Sequence, residues 1–378
     1  MKDARDTIGI VGGGQLGRML TQAAHNLGFR VIVLDPTPGS PAGLIADEEM
    51  TGSFKDKEKI LELGEKCDFM TFEIESANAE ALEELLKRGK IVSPNPRILK
   101  IIKDKFAQKV FLKNHGIPVG DFALVANEKD AESQGEIFGY PYLLKARFDA
   151  YDGRGNYLVK NKGDIKQAFK KLSSGPVYAE KFVPFFMELS VVSGRDSLGS
   201  IESFPMVETV HKNNICHIVR SPAVIPEDIK EKGYEISRKI LERFKAVGVF
   251  AVEMFLTADN MLLVNEIAPR VHNSGHHTIE AYSTSQFEQH IRAIAGMPLK
   301  KPRAKSKHAV MVNILGEREG DAEYKGEKKA KALNGVSVHI YGKMQTRHGR
   351  KMGHITALGS NQKETEEKAL KARKLIQI

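Results

Sequence analysis

The first hundred residues alternate between short apolar runs and segments whose apolar positions repeat at helical spacing. Short runs bounded by turn residues indicate buried strands, and a repeat of three or four residues indicates a helix with one apolar face. The predicted strands lie at 8–11, 31–34, 69–72 and 91–92. The predicted helices lie at 15–27, 54–66, 79–87 and 98–114. This alternation predicts a doubly wound α/β unit with a parallel sheet over residues 1–105.

Beyond about residue 117 the pattern changes to short strands broken by glycine-rich turns, which is typical of α+β structure. The predicted strands lie at 142–146, 157–159, 177–180, 189–193, 249–256, 262–267, 309–315 and 337–341. The predicted helices lie at 164–172 and 363–375. We therefore expect a small unit at 106–187, a larger one at 188–300 and, after a linker, a small β-rich unit at 301–378.

The composition is that of a soluble globular protein, with 41% hydrophobic and 28% charged residues and no apolar stretch long enough to span a membrane. The first residues lack the apolar core of a secretory signal. Cys67 and Cys216 are the only cysteines, too few for a disulfide framework and without partners at metal-ligand spacing. These features predict a cytoplasmic protein.

The formal net charge of +9 is compatible with nucleic-acid binding. Most basic residues are interleaved with acidic ones, as at 55–59, which indicates solvated helix faces. The one nearly pure basic run, 300–307, has the composition of a linker. The charge therefore favours an enzyme with polyanionic substrates, such as ATP and a phosphorylated sugar, over a nucleic-acid-binding protein.

A glycine-rich loop joins the first predicted strand to the first helix. Residues 12–17 fit the G-x-G-x-x-G pattern, and Asp35 follows the second strand where the ribose-binding acid of a dinucleotide site would lie. Glycines at this turn also suit any ligand that accepts hydrogen bonds from amides at a helix N-terminus. Taken alone, the loop favours an NAD-dependent oxidoreductase, with a purely structural turn as the alternative.

Lys145 lies on a predicted strand before a polar loop that contains Gly153 and Gly155. A lysine in this place can pair with nucleotide phosphates, while a loop closes over them to exclude water. The plain alternative is an exposed lysine on a surface hairpin. Neither a Walker A pattern nor a kinase catalytic loop is present, so those nucleotide-binding folds are not expected.

An antiparallel hairpin is predicted where two apolar runs flank the turn formers at 257–260. An even-length loop would put Glu253 opposite Val264, so that Glu253 and Glu266 share one face as diagonal neighbours. Two carboxylates in so apolar a hairpin need a cation or a proton, and Mg²⁺ held by carboxylates and nucleotide phosphates fits that need. Asn265 could supply a third oxygen ligand. A solvent-facing pair is the alternative.

The segment 267–278 follows at once and is dense in hydrogen-bond donors, which indicates a substrate site beside the metal. It contains His272, His276 and His277, but no H-E-x-x-H pattern or cysteine cluster accompanies them. A zinc site is therefore not expected.

Five segments, taken in order, resemble the N5-carboxyaminoimidazole ribonucleotide synthase family of ATP-grasp ligases. They are Gly-Gly-Gly-Gln-Leu-Gly-Arg-Met-Leu at 12–20, Ala-Tyr-Asp-Gly-Arg-Gly-Asn at 150–156, Val-Glu-Met-Phe at 252–255, Asn-Glu-Ile-Ala-Pro-Arg-Val-His-Asn-Ser-Gly-His at 265–276 and Gly-Arg-Lys-Met-Gly-His at 349–354. Only the first is common elsewhere. The sequence is also similar to the N-terminal half of fungal bifunctional phosphoribosylaminoimidazole carboxylase.

The resemblance implies an ATP-grasp fold, with 106–187 as its lid domain, 188–300 as its large domain and 1–105 as the unit that precedes them. It implies that ATP and bicarbonate carboxylate 5-aminoimidazole ribonucleotide through carboxyphosphate, with Mg²⁺, in purine biosynthesis. It also implies a homodimer. An ATP-grasp ligase of purine synthesis with another acceptor is the main alternative, ahead of the NAD-dependent oxidoreductase.

The resemblance further implies roles for individual residues. The implied ATP contacts are Lys105, Lys145, Ala150, Tyr151, Asp152, Gly153, Arg154, Gly155, Asn156, Glu180, Lys181, Phe182, Val183, Glu188, His211, Asn265 and Glu266. The implied catalytic contacts to bicarbonate and carboxyphosphate are Tyr151, Asp152, Arg154 and Arg270. The implied contacts to the ribonucleotide are Gln15, Leu16, Glu73, His272, Asn273, Lys343 and Arg350. The implied metal ligands are Glu253 and Glu266.

Two departures from the family pattern stand out. The bacterial enzymes usually have Gly-Gly before Tyr-Asp-Gly, whereas this chain has Asp149 and Ala150, which is closer to the fungal form. Lys105 occupies a nucleotide-binding position that is often arginine, which keeps the charge but loses a bidentate grip.

Overall fold

The computed structural model describes residues 5–148, 155–172 and 175–378, and its first unit is a parallel sheet with strand order β3-β2-β1-β4-β5. The strands are β1 (Thr7–Val11), β2 (Arg30–Asp35), β3 (Glu48–Thr51), β4 (Phe69–Phe72) and β5 (Ile91–Val92). The helices are α1 (Gln15–Asn26), α2 (Lys57–Glu65), α3 (Ala79–Lys87), α4 (Pro96–Lys103) and α5 (Lys105–Asn114). Because parallel strands point the same way, the glycine loop after β1 and the acids after β4 meet at one edge of the sheet.

The single helix expected at 98–114 is wrong, because Asp104 divides it into α4 and α5. The backbone of Asp104 is extended, and its Oδ1 accepts hydrogen bonds from the amides two and three residues further on (3.1 and 3.2 Å). A side chain that caps a new helix in this way can end the preceding one even where the apolar spacing continues. As a result α5 presents Lys105 and Lys109, one turn apart, on the same face.

A small antiparallel sheet follows, with strand order β6-β9-β7-β8. Its strands are β6 (Phe122–Val125), β7 (Tyr142–Ala146), β8 (Asn156–Val159) and β9 (Val177–Lys181). Its helices are α6 (Glu128–Phe138) and α7 (Ile165–Lys171). Leu143 of β7 pairs with Glu180 of β9, so Lys145, two residues on, lies on the same face as Glu180.

The largest sheet is antiparallel, with order β15-β14-β10-β12-β13-β16-β20-β18 and β11 beside β10. Its strands are β10 (Phe185–Arg195), β11 (Ile201–Ser203), β12 (Val207–Lys212), β13 (Ile215–Ser221), β14 (Gly248–Thr257), β15 (Leu262–Ala268), β16 (His308–Leu315), β18 (Val336–Ile340) and β20 (Lys351–Gly359). A separate pair is formed by β17 (Gly320–Asp321) and β19 (Gln345–Thr346). The helices are α8 (Glu227–Phe244), α9 (Thr278–Ala281), α10 (Gln286–Ile294), α11 (Glu327–Lys331) and α12 (Gln362–Lys374). Since β16 pairs with β13, this sheet continues across residue 301, and the division into four units stays a prediction.

The register predicted for the β14–β15 hairpin is wrong. Glu253 lies opposite Glu266 rather than diagonal to it, because Asn265 is the extra residue of a β-bulge and the loop between the pair Leu256 and Leu262 is odd-numbered. Directly opposed residues project from the same face, so the two carboxylates lie closer together than the diagonal arrangement would place them.

One apolar core joins the parallel sheet to the large sheet. It contains Ile8 and Leu20 from the first unit together with Val249, Phe287 and Ile291 from β14 and α10. The shared core holds the edge of the parallel sheet that carries the glycine loop against the face of the large sheet. Within the described residues, no helix is long and apolar enough to cross a membrane.

Candidate active site

The amides of the glycine loop are already paired with acids of the same chain. The Gly13 amide donates to Oδ2 of Asp35 (2.8 Å), and the Gly14 amide donates to Oε1 of Glu73 (2.7 Å). A Cβ on Gly14 would lie 2.7 Å from that same oxygen, and one on Gly13 would lie 2.3 Å from Oγ of Ser40. The glycines therefore permit close approach of internal side chains. Because the amides that a dinucleotide would need are engaged by these acids, the loop geometry does not favour the NAD interpretation.

Glu73, which is hydrogen-bonded to the glycine loop, lies near basic residues from later parts of the chain. Burial raises the pKa of Glu73 to about 7, although the Gly14 amide and the charges of Arg270 and Lys343 oppose the shift. Burial also lowers the pKa of Lys343 to about 7, assisted by the charge of Arg350 and opposed by that of Glu73. Nζ of Lys343 donates to a backbone carbonyl of β20 (2.6 Å). This corner combines one acid with cations that suit a phosphorylated ligand.

Gln15 and Leu16 begin α1, directly after the Gly14 amide that holds Glu73. The Leu16 side chain is 6% exposed and belongs to the apolar core, so a ligand at this position would meet its backbone. Gln15 is half-buried at the same helix start.

The face of the large sheet opposite this corner carries a carboxylate pair. Burial and the facing Glu266 raise the pKa of Glu253 to about 7. Burial also acts to raise the pKa of Glu266, but the ammonium group of Lys105 outweighs it and lowers that pKa. The Glu253 and Glu266 side chains are 23% and 37% exposed, so a ligand can reach both. Two carboxylates and one nearby ammonium group leave an excess of negative charge that a cation would stabilise.

Glu188 and His211 lie on the same face, two and three strands away from Glu266. Nδ1 of His211 is 2.8 Å from Oε2 of Glu188, close enough for an ion pair although not aligned as a hydrogen bond. Burial lowers the pKa of His211, but Glu188 outweighs this effect and the pKa is raised. The pair is therefore held together by charge.

Three lysines approach this face from α5 and the small sheet. Nζ of Lys105 is 2.7 Å from Oε1 of Glu266. Nζ atoms of Lys109 and Lys145 each lie 2.8 Å from the carboxylate of Glu180, one at each oxygen. Burial would raise the pKa of Glu180, but the charges of Lys145 and Lys109 together lower it to about 2. The sequence pointed to Lys105, Lys145 and Glu180, and it missed Lys109.

The donor-rich segment after β15 contacts acidic residues from two different parts of the site. Arg270 is 2.9 Å from Glu75, an acid that the sequence analysis missed. Nε2 of His272 lies 3.5 Å from Oε1 of Glu253, and burial, with the charge of Arg270, holds the pKa of His272 well below its usual range. This neutral imidazole and the Arg270 guanidinium connect the carboxylate pair to the corner at Glu73.

Asn273 is buried and hydrogen-bonded to a strand of the last unit. Its amide nitrogen donates to Oδ1 of Asn313 (3.1 Å), and Asn313 donates in return to Oδ1 of Asn273 (2.6 Å). The reciprocal pair fixes the segment behind His272. Asn313, another residue that the sequence analysis missed, carries no local motif that would have identified it.

Several expected ATP contacts lie at the edge of the small sheet. The carbonyl of Gly155 accepts from the Ala146 amide (2.8 Å), and Asn156 begins β8. Lys181 and Phe182 are exposed at the end of β9, and the Lys181 amide donates to the Asp121 carbonyl (2.9 Å). The other expected contacts of this segment lie outside the described residues: Ala150, Tyr151, Asp152, Gly153 and Arg154.

A group of possible metal ligands elsewhere is formed by Glu280, His339 and His354, whose ligand atoms lie within 4.8 Å of one another. His339 is already 2.6 Å from Oε1 of Glu280. The rings of His339 and His354 are stacked with their planes 11° apart, so lone pairs that lie in these two separate planes do not converge on one ion. The arrangement is that of packed side chains.

Comparison with protein families matches the chain in three consecutive parts. Residues 5–103 match the ribonucleotide synthetase preATP-grasp domain, residues 110–287 the ATP-grasp domain, and residues 309–368 the phosphoribosylaminoimidazole carboxylase C-terminal domain. These matches agree with the α/β and α+β architecture, and the carboxylate pair and Lys145 lie within the ATP-grasp match, whereas Lys105 and Lys109 lie just before it.

Whole proteins and solved structures are similar over nearly the full chain. The phosphoribosylaminoimidazole carboxylase of Ogataea methanolica is 44% identical, over 96% of this chain and 68% of its own length. The chain spans about two thirds of the fungal and plant relatives it matches, between 64% and 68%. The N5-carboxyaminoimidazole ribonucleotide synthase of Staphylococcus haemolyticus is 40% identical, over 97% of this chain and 96% of its own length.

Among solved structures, the N5-carboxyaminoimidazole ribonucleotide synthetase of Thermotoga maritima is 44% identical with a TM-score of 0.89, over 98% of this chain and 99% of that one. The N5-carboxyaminoimidazole synthase of Aspergillus clavatus, in complex with ADP and 5-aminoimidazole ribonucleotide, is 36% identical with a TM-score of 0.89 over the same shares. Because its fold and nearly its whole length match these relatives, this chain belongs to the N5-carboxyaminoimidazole ribonucleotide synthase family of ATP-grasp ligases.

Proposed function

We propose that the protein uses ATP and bicarbonate to carboxylate 5-aminoimidazole ribonucleotide, giving N5-carboxyaminoimidazole ribonucleotide for purine biosynthesis. The observation that carries the proposal is the full-length similarity to the Aspergillus clavatus enzyme in complex with ADP and 5-aminoimidazole ribonucleotide. The chemistry of the site supports it, since lysines suited to phosphates lie beside a carboxylate pair, and a basic corner lies across from them.

The reaction has two displacement steps. A bicarbonate oxygen attacks the γ-phosphorus of ATP, the bond to the β–γ bridging oxygen breaks, and ADP leaves carboxyphosphate behind. The amine of the ribonucleotide then attacks the carboxyl carbon, the bond from that carbon to the phosphate oxygen breaks, and the nitrogen loses a proton as phosphate departs. Such transfers depend on positioning and charge neutralisation more than on covalent help from side chains.

ATP fits between the small sheet and the face of the large sheet. Lys105 and Lys145 would neutralise its phosphates, and Glu188, oriented by His211, would accept from the ribose hydroxyls. Adenine would meet the backbone at 180–183; the amide of Lys181 is engaged, which favours contacts at the two residues after it. Gly155 directly precedes β8 and Asn156 begins it, after the segment that the family resemblance assigns to the phosphates.

Glu253 and Glu266 fit a bound Mg²⁺. Their direct opposition, and the raised pKa of Glu253 that burial and Glu266 cause, identify a place where a second positive charge is needed. Both side chains are accessible. Asn265, in the adjoining bulge, is the residue proposed to supply a third oxygen ligand. When bound, the ion would offset the charge of the phosphates, as is usual for ions held by one or two carboxylates and a nucleotide.

Bicarbonate and carboxyphosphate would bind between the carboxylate pair and the corner at Glu73. Arg270, oriented by Glu75, would supply a positive charge to them. The roles of Tyr151, Asp152 and Arg154, which lie outside the described residues, stay predictions. The ribonucleotide would occupy the corner at Glu73, with its 5′-phosphate on the two basic residues of the last unit. Its remaining contacts would be Gln15, Leu16, His272 and Asn273, with Lys343 and Arg350 for the phosphate.

The family resemblance also underlies our proposal that the enzyme is a cytoplasmic homodimer. Sedimentation at micromolar concentration would give twice the 41.9 kDa of the chain, and a monomeric value would contradict the dimer.

Phosphate release from Mg-ATP tests the function directly. With bicarbonate present, phosphate release is expected to depend strongly on 5-aminoimidazole ribonucleotide, because the acceptor amine reacts with carboxyphosphate and releases its phosphate. Retention of carbon from labelled bicarbonate in the product would confirm the carboxylation. A folded protein that binds ATP but shows no stimulation would contradict the assigned acceptor.

Lys343→Ala is expected to raise the KM for the ribonucleotide by roughly 10- to 100-fold, because one charge-assisted contact to phosphate is lost. The KM for ATP should stay unchanged, since Lys343 lies across the site from Glu266 and its lysines. Lys325→Ala removes an exposed lysine of the same unit and serves as the control. A selective rise in the KM for ATP would contradict the assignment of Lys343 to the ribonucleotide.

Ribonucleotide affinity is expected to fall by roughly 10-fold as pH rises through about 7. Lys343, whose pKa burial lowers to about 7, is charged below that pH and neutral above it. Glu73, whose pKa burial raises to about 7, gains negative charge over the same range, so both changes weaken phosphate binding. Titration of the ribonucleotide between pH 6.5 and 8.5 checks this, and the double variant Lys343→Met, Glu73→Gln should show a much smaller fall. An equal fall in that variant would exclude these two groups as the cause.

A further inference from the structure

Lys109 is the most buried of the three lysines near the nucleotide site. Its side chain is 2% exposed, and its Nζ donates to Oε1 of Glu180 (2.8 Å) and to the carbonyl of Val264 (3.0 Å). Val264 lies in β15 two residues before Glu266. Lys109 therefore ties the small sheet to the strand that carries the carboxylate pair, from a position that no ligand in the cleft needs to touch.

The charges around Glu180 do not balance without a ligand. Its buried carboxylate faces two ammonium groups, one on each oxygen, and Tyr178 adds a neutral hydroxyl 3.4 Å away. The low pKa of Glu180, about 2, reflects both Lys145 and Lys109 acting against its burial. One negative and two positive charges leave a net charge of about +1 at this point, which an anion would stabilise.

Lys145 is the member of this group that can reach a ligand. It is 11% exposed on its side chain, whereas Glu180 is 3% exposed. Without Lys109, a single carboxylate would pair with a single ammonium group, and Lys145 would present no excess charge to a phosphate. With Lys109 present, the negative charge of Glu180 is shared between two ammonium groups, so Lys145 is only partly neutralised.

We propose that Lys109 is a positioning residue, which neutralises Glu180 so that Lys145 keeps its positive charge available for the phosphates of ATP. The inference rests on the proposed function only in taking the nucleotide to bind at Lys145. It does not depend on which acceptor is carboxylated.

The test is the Kd of Mg-ATP, measured by titration calorimetry on the full chain in four variants. Lys109→Met brings the local charge to about zero and should weaken ATP binding by roughly 10-fold. Lys109→Arg keeps the charge and should stay within about 3-fold of the parent. Glu180→Gln/Lys109→Met returns the charge to about +1, carried by Lys145 alone, and should recover most of the lost affinity. Lys113→Met, at an exposed position of the same helix, is the matched control and should change nothing.

A loss of ATP affinity in Lys109→Met that the double variant reverses, while ribonucleotide affinity stays constant, is the result that a merely structural role would not produce, because general damage to the site would not be confined to one ligand. Ribonucleotide affinity, measured in parallel, should be unchanged in all variants. If the double variant binds ATP as weakly as Lys109→Met, or if Lys109→Met binds ATP like the parent, the proposal is overturned.

If Lys109→Met does not fold, the double variant remains informative, because it removes the charges of the two most buried groups and leaves only that of Lys145, which reaches the cleft. It should then fold and bind ATP within about 3-fold of the parent, and weak binding would overturn the proposal. Should ATP bind as expected while the ribonucleotide has no effect on phosphate release, the acceptor assignment fails and the role of Lys109 stands.

Discussion

Glu266→Gln is expected to lose turnover by on the order of 100- to 1000-fold while the protein still folds. The substitution keeps the size of the side chain but removes one of two opposed carboxylates, and with it much of the attraction for a divalent cation. It also leaves Lys105 without its partner at 2.7 Å, so the geometry at the start of α5 loosens. Turnover at saturating ATP, measured over a range of Mg²⁺ concentrations, should be low and should respond only to much higher Mg²⁺.

The control for this variant is Glu208→Gln on the same sheet. Glu208 lies on β12 and pairs with Arg220 (2.6 Å), away from the carboxylate pair. It should keep near-normal turnover, although it also loses an ion pair. A normal rate in Glu266→Gln would show that the carboxylate pair does not hold the metal.

The parallel sheet of the first unit could be predicted closely because most of its elements are specified locally. The predicted bounds of β4, α3 and β5 coincide with those observed. The short strand β3 was missed, since Glu48–Thr51 carries two acidic residues and no apolar run. Its place at the sheet edge comes from pairing with β2, a tertiary effect that propensity does not report.

The site was predictable where function leaves a motif and unpredictable where it depends on partners distant in sequence. Glu253 and Glu266 were found from a hairpin pattern, but their register required the bulge at Asn265, which no local signal specifies. Lys109 and Glu75 look like ordinary charges of a helix and a loop. Only the fold shows that they meet Glu180 and Arg270.

The glycine loop shows how a genuine motif can mislead. Its pattern is satisfied, yet Asp35 and Glu73 occupy the amides that a pyrophosphate would need. Close backbone approach is what the glycines provide, and the group that approaches is decided by residues elsewhere in the chain.

Lys105→Met is expected to lower kcat/KM for ATP by roughly 50-fold, through loss of a charge-assisted contact at a half-open site. Burial lowers the pKa of Lys105, but Glu266, Glu75 and Glu253 outweigh it and raise that pKa, so the ammonium group is charged at neutral pH. Lys105→Arg, which restores the residue common in the family, should stay within about 5-fold of the parent. Lys103→Met, at the end of α4, is the matched control and should be neutral.

The pH dependence of this defect separates charge from shape. Lys105 is the main group that lowers the pKa of Glu266 against its burial, so in Lys105→Met that pKa should rise. A higher pKa leaves a larger fraction of Glu266 protonated at pH 6.5 than at pH 8.5. The loss in kcat/KM should accordingly be several-fold deeper at pH 6.5, and Lys105→Arg should show no such difference. An equal loss at both pH values would mean that the lysine acts through packing or direct phosphate contact alone, and not by keeping the metal-binding carboxylate ionised.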